Sequence, residues 1–316
     1  MPEWLIERGI GETRYALVEN GEIVEARIEV EGGVRAGSVD AARLVKAAPR
    51  NAVARDESGT EYLLPRGSAR LTEGAVLNVE VTREAIPGAE PWKRPLAKLT
   101  DAEPRPAPTI EGRALPIPAA HDALAELGWN DVIDEARSGL VRFPGGELRI
   151  AATAAMTLID VDGHVSPDEL AVFGAREAAR AIRRLDIGGS IGIDLPTSAS
   201  KTVRQAAAEA IDAALPQPFE RTAVNGFGFV QIVRPRRRAS LIELAQDHAS
   251  FEARALLRQV AFDPAGAKRL VAHPAVLSIL SSKPDWIDAF SRQVGGAVAL
   301  RADPGLPMSG GYAEPL

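Results

Sequence analysis

The 316-residue chain contains no cysteine, which excludes disulfides, thiolate zinc sites and cysteine nucleophiles together. Histidine is nearly as scarce: His121, His164, His248 and His273 are scattered, so a histidine-built zinc site is not expected either. Long apolar runs are missing too. The longest, "IAATAAMTLI" at residues 150–159, falls far short of the ~20 residues a bilayer span needs. The N-terminal "MPEWLIERGIGETRYALVENG" holds early acids and no apolar segment of the secretory kind, so a cytoplasmic protein without membrane partners is expected.

What remains is a globular composition, 46% hydrophobic, in a chain long enough for two or three domains. The net charge of -6 does not by itself point to a polyanionic partner, because phosphate backbones are bound by locally placed Lys and Arg. Local placement therefore matters. Residues 221–238, "RTAVNGFGFVQIVRPRRR", carry five arginines and no acid, which suits either a basic surface or a solvated strand end.

Short β-type runs punctuate residues 1–100, with a turn at Asn20-Gly21, and predict a β-rich module. Residues 101–118 are rich in proline and lack periodicity, which reads as a linker or extended connector. From 119 to 245 strands alternate with helices. Ser166 and Glu169 form a capping box with Pro167 at the first helical position, and that helix runs to about Leu185. "SIGIDLP" is the next strand, "SKTVRQAAAEAIDAAL" the next helix and "FGFVQIVR" a further strand, so this part reads as an α/β domain in a chain that is α+β overall. Residues 246–316 read as a small, mainly helical domain with one closing strand.

Asp160 ends one strand and Asp194 lies near the end of the next, 34 residues later, with one helix between. A right-handed crossover brings such strands side by side or nearly so, and places both carboxylates at the same sheet end. Two carboxylates about 4 Å apart repel by about 4 kcal/mol at an effective dielectric of 20, which favours a shared proton or a bound cation. Mg²⁺ suits the pair, taking one or two carboxylates, several waters and a phosphate oxygen, and Mn²⁺ is an alternative. Asp162 is a third candidate ligand. Asp160 and Asp162 equally suit a turn and a helix start. His164 is open to two readings, a proton carrier beside the metal or a solvated loop residue.

Three other patterns compete. "DVDGHVSPDEL" resembles a calcium-binding loop, but Val165 stands where glycine is required and no glutamate occupies the twelfth position. Ser198 to Lys201 match a Ser-x-x-Lys motif without its companion signatures. Arg176, Arg180 and Arg183 fall on one helix face that could receive phosphates or simply be solvated.

Taken together, "ARSGLVRFPGGELRIAATAAMTLIDVDG", "REAARAIRRLDIGGSIGIDLPT" and "NGFGFVQIVRPRRRASLIE" resemble the catalytic core of the ribonuclease E/G family over about 110 residues. The resemblance implies a deoxyribonuclease-like, ribonuclease-H-like α/β domain in which Asp160 and Asp194 hold magnesium. It also implies an RNA-binding OB-type barrel within residues 1–100, where Tyr62 contacts bases and Lys93 lies near the cut. The family usually has asparagine at the position of Asp162, and an arginine at that of Gly226. The Cys-Pro-x-Cys zinc link between subunits is absent, as is the Val-Arg-Thr-Ala-Gly segment that senses RNA 5′ ends, so a compact member without a zinc-linked dimer is expected.

The expected function is a Mg²⁺-dependent endoribonuclease cutting single-stranded RNA to leave a 5′-phosphate and a 3′-hydroxyl. Lys93, Arg234 and Arg236 would hold the RNA backbone, with Arg176 and Arg180 as further contacts, and Tyr62 would stack a base. The alternatives are an RNA-binding protein that keeps the fold without cutting, and a phosphatase or nuclease acting on DNA.

Overall fold

The computed structural model describes residues 2–68, 70–87 and 93–316. They form a mixed α/β protein whose chain divides into two compact units: Met1–Glu31, Glu111–Arg137 and Leu244–Leu316 in one, Gly32–Ile110 and Ser138–Glu243 in the other. The sequence-based boundaries run differently. Residues 1–31 join the unit holding the C-terminal segment, not the barrel that follows them.

In the first unit, β1 (Glu3–Arg8), β2 (Glu12–Glu19) and β3 (Glu22–Val30) form an antiparallel meander. Asn20 and Gly21 turn the second hairpin with φ of 53° and 84°, the positive pair a tight two-residue turn requires. The proline-rich connector is not wholly irregular, because β9 (Arg113–Leu115) pairs in parallel with β1. Helices α1 (Ala123–Glu126), α2 (Trp129–Ser138), α5 (Leu241–Gln246), α6 (His248–Val260), α7 (Pro274–Ser281) and α8 (Pro284–Val294) follow along the chain. Leu256, Leu257, Val276, Leu280 and Phe290 form the core of the C-terminal part.

The C-terminal segment holds three strands where the sequence predicts one: β16 (Lys268–Ala272), β17 (Val298–Ala302) and β18 (Tyr312–Pro315), ordered β17-β16-β18. Strand β16, "KRLVA", is too short to show a period, and only its two neighbours complete its hydrogen bonding.

This unit also buries a network of charges. Arg14 reaches Glu7 at 2.7 Å and Glu12 at 2.6 Å; Arg254 meets Glu12 at 2.7 Å; Arg258 meets Glu7 at 2.9 Å and Asp122 at 2.5 Å. Arg254 and Arg258, four apart on α6, share the helix face that these acids require. Burial alone would raise the Glu12 carboxyl, but the Arg14 and Arg254 guanidiniums outweigh it and hold the group below the ordinary carboxylate range.

The second unit begins with a closed five-stranded barrel, β4 (Val39–Lys46), β5 (Ala52–Arg55), β6 (Glu61–Leu64), β7 (Val76–Arg83) and β8 (Leu96–Thr100), in the order β4-β5-β6-β8-β7. Period-two alternation turns Leu44, Ala54, Tyr62, Leu64, Val79 and Val81 into its interior. A six-stranded sheet follows: β10 (Leu140–Phe143), β11 (Gly146–Ala152), β12 (Thr157–Gly163), β13 (Gly189–Asp194), β14 (Glu220–Arg221) and β15 (Phe229–Arg234), in the order β10-β11-β12-β13-β15-β14. The backbone N–H of Glu84 donates to the Arg237 carbonyl at 2.8 Å, tying the barrel to the segment after β15.

Helix α3 (Pro167–Arg184) starts as its capping box predicts: Ser166 Oγ accepts from the Glu169 N–H at 3.4 Å and donates to the Glu169 carboxylate at 2.7 Å. It crosses from β12 to β13 and packs against α4 (Lys201–Ala214). A Cβ added at Gly174 would lie 2.3 Å from Val161 Cγ1, so α3 sits very close to β12. Ile159, Val161, Ile191 and Ile193 all face this helical layer and are buried. Because strand side chains alternate, their neighbours project from the opposite, uncovered face.

Candidate functional site

Strands β12 and β13 run parallel, and their register sets Asp160 directly opposite Asp194. Residues directly opposite each other on neighbouring strands project from the same face, with Cβ atoms ~5 Å apart. Both aspartates are exposed on the uncovered face, and Asp162 projects from it two residues further along β12. The expectation that a crossover would bring the two strand ends together is met.

The same register extends across five strands. Leu140 on β10 pairs with Arg149 on β11, Arg149 with Asp160, Asp160 with Asp194, and Asp194 with Phe229 on β15. The result is a transverse row of an aliphatic side chain, a cation, two anions and an aromatic, about 19 Å long at ~4.8 Å per strand. Gly192, two residues before Asp194, keeps the face low beside the row. A Cβ there would meet the Phe229 ring at 2.6 Å and Leu158 Cδ2 at 3.1 Å.

The electrostatics are those of a like-charge cluster. Desolvation and then the charges of Asp162 and Asp194 push the Asp160 carboxyl above its ordinary range, against an opposing effect from Arg149. Among the described residues none of the three aspartates forms an ion pair, while Arg149 meets Glu147 at 2.5 Å. Carboxylates grouped in this way attract a cation. Among the described residues no group of three or more His, Asp or Glu is arranged to hold a metal ion. Magnesium often takes only one or two protein carboxylates and completes its shell with water and phosphate, so the Asp160–Asp194 pair fits it in number and charge.

Several other expected contacts belong elsewhere. Tyr62 is fully buried in the barrel, because β6 alternates with its even positions inward, and its hydroxyl donates to Asp56 at 2.8 Å. Burial, then that hydrogen bond, pushes the phenol well above its ordinary range. This corrects the expectation of a base-stacking ring. Lys93 is half-buried in the coil leading into β8, part of the barrel.

Most of the arginine run is spent on structure. Arg234 donates to the Ile187 carbonyl at 3.1 Å, Arg238 reaches Asp186 at 2.9 Å, and Arg236 is hydrogen bonded to Glu243. Antiparallel pairing sets Arg234 opposite Gly189, whereas Phe229 lies opposite Asp194, so Arg234 is some 17 Å along the strand from the aspartates at ~3.4 Å per residue. Arg234 and Arg236 therefore do not line the carboxylate site. Arg176 and Arg180 both pair with Glu177 on the exposed side of α3, and the helical layer lies on the other face of the sheet from the aspartates. They too are removed from it. His164 is exposed in the turn after β12.

Sequence reasoning missed Leu140, Arg149 and Phe229, whose place in the row depends on strand register. It also missed Phe227, which is 81% exposed in the loop before β15. That loop lies at the end of β13: the Thr197 hydroxyl donates to the Phe227 carbonyl at 3.1 Å, and Leu195 N–H to the Gly228 carbonyl at 3.3 Å. Gly228 has φ of 90°, and a Cβ there would lie 2.1 Å from the Leu195 carbonyl oxygen, so only glycine permits the turn that leaves Phe227 outermost. The "NGFG" spacing was the available signal. Comparison with protein-family models and with curated proteins returns no match to this chain.

Proposed function

We propose that the protein is a divalent-metal-dependent endoribonuclease acting on single-stranded RNA. The observation that carries this reading is the in-register pairing of Asp160 with Asp194 on the uncovered sheet face. Asp160 and Asp194 would hold Mg²⁺, or Mn²⁺ in its place, and Asp162 adds a third negative charge beside them. When bound, such an ion polarises phosphate oxygens and lowers the pKa of an attacking water. The chain's own contribution is positional. Adjacent strands fix the carboxylate spacing, and Phe229 and the exposed Phe227 offer aromatic surface on the side away from Arg149. Hydrolysis with departure of the 3′-oxygen leaves a 5′-phosphate and a 3′-hydroxyl, as the ribonuclease E/G resemblance implies. On this reading the barrel is of the OB type and the six-stranded domain deoxyribonuclease-like, with a reduced ribonuclease-H-like portion beside it.

Asp162 favours a second reading, an RNA-binding protein that has lost cleavage, because its charge, at a position where the resemblance implies asparagine, pushes the Asp160 carboxyl upward so that a proton competes with the metal there. One experiment separates the two. Purified protein is incubated with a fluorescent single-stranded oligoribonucleotide in Mg²⁺ and in EDTA. Cutting that requires the metal and is lost in Asp194→Asn supports the nuclease; binding without cutting supports the second reading.

A further inference from the structure

Beside Asp160, on the side away from Asp194, the uncovered face sinks into a pocket of about 250 Å³. Leu140, Ala151 and Leu158 give it apolar walls, while Arg149 and Asp160 stand in its lining. The volume is below the ~300 Å³ at which drug-sized ligand sites begin, so it suits a single flat heterocycle rather than a larger group. Its chemistry suits a nucleobase: aliphatic surface for the ring faces and charged groups for the attached backbone.

Arg149 is the cation of the transverse row. It is the direct strand partner of Asp160, it projects from the same face, and its charge opposes the upward shift of the Asp160 carboxyl. Its partner Glu147 is a near neighbour on the same strand, and the Arg149 side chain is 64% exposed, so this contact is a weak surface pair that a phosphate can displace. Arg234, Arg236 and Arg238 are engaged elsewhere, and Arg149 is the guanidinium directly paired in register with Asp160.

The geometry points to Arg149 as a substrate-binding residue that holds a backbone phosphate next to the scissile one, and to the Leu140–Leu158 pocket as the seat of an unstacked base of single-stranded RNA. The strand then lies across the sheet along the row. A base enters such a pocket only when released from its stack, so duplex RNA is excluded by shape. The inference rests on the proposed action on RNA, but concerns grip and not chemistry.

The test uses the full chain and an oligoribonucleotide with one defined cleavage site. Binding is measured in EDTA, and steady-state cleavage in Mg²⁺. We expect Arg149→Ala to raise Kd and KM by about tenfold with kcat changed less than about twofold, and Arg149→Lys to recover part of that loss. Ala151→Phe, which fills the pocket, should weaken binding. Removing one base next to the cleavage site should weaken it similarly, and the two changes together should cost no more than either alone. Unchanged Kd in Arg149→Ala, or independent effects of Ala151→Phe and the abasic position at every position tried, overturns the inference while leaving the nuclease reading intact. Wild-type binding without cleavage, still weakened by Arg149→Ala, removes the nuclease and keeps the inference. No RNA binding by the wild type removes both.

Discussion

Charge is handled in opposite ways in the two units. In the first, Glu7, Glu12 and Asp122 are met by Arg14, Arg254 and Arg258, and Glu12 is held in its ionised form by Arg14 and Arg254. In the second, Asp160, Asp162 and Asp194 share an exposed face with one neighbouring arginine, and Asp160 is driven towards its neutral form. Paired, buried charges fix a packing arrangement. Like charges grouped at a surface cost stability, and a fold keeps them where a ligand repays the repulsion. On the proposed function, the contrast separates acids that serve architecture from acids that serve a site.

The strongest way to break this comparison is to open the network. Arg14→Ala leaves the buried network one positive charge short, with Glu7 held by Arg258 alone and Glu12 by Arg254 alone, and we expect a loss of about 3–5 kcal/mol, read from urea unfolding. A small loss would mean that the buried pairs do not hold the first unit together. At the surface the expectation reverses. Asp194→Asn should lower kcat by about 10²–10³-fold, while leaving stability in EDTA at neutral pH unchanged or improved. A clear destabilisation would show that this carboxylate is structural after all.

The pH dependence should carry opposite signs. Glu12 lies below its ordinary range, so its stabilising contribution is present above the unfolded value and fades as pH falls through the lowered one. Asp160 lies above its ordinary range, so in metal-free protein it costs stability once pH rises through the window between its unfolded and raised values. We therefore expect Asp160→Asn in EDTA to gain more over wild type at neutral pH than at mildly acidic pH. A gain that does not vary with pH would remove the like-charge account.

Smaller effects sharpen the aromatic assignments. Phe227→Ala should weaken single-stranded RNA binding by about tenfold, in line with a stacked base worth ~1–3 kcal/mol. Tyr62→Phe should leave RNA binding unchanged and cost about 1 kcal/mol of stability through the lost hydrogen bond to Asp56. RNA affinity lost in Tyr62→Phe would return that residue to the interface.

Local signals in the sequence identified the capping box at Ser166, the turn at Asn20-Gly21 and the approach of Asp160 to Asp194, because each depends on residue type at short spacing or on one crossover rule. The fate of the arginines was hidden, because Asp186 and Glu243 become partners of Arg238 and Arg236 only through tertiary packing. Tyr62 was expected at the interface from the resemblance alone; its own strand is four residues long, and which side of so short a strand faces inward is settled by barrel closure. Arg149 depended on the β11–β12 hairpin register, which the turn at Thr153–Met156 sets through a 3.0 Å bond from the Thr153 N–H to the Met156 carbonyl.

The alignment of β12 with β13 admits no half measures. Sliding β13 by a single residue would turn Asp194 into the helical layer and bring Ile193 or Leu195 out beside Asp160, so a chain with every side chain intact would have no carboxylate pair. Insertions in the surface loops leave that alignment alone. What the site cannot survive is a shift of the strand beneath it, and its tolerance to change is therefore that of the ladder of backbone hydrogen bonds, not that of the two acids.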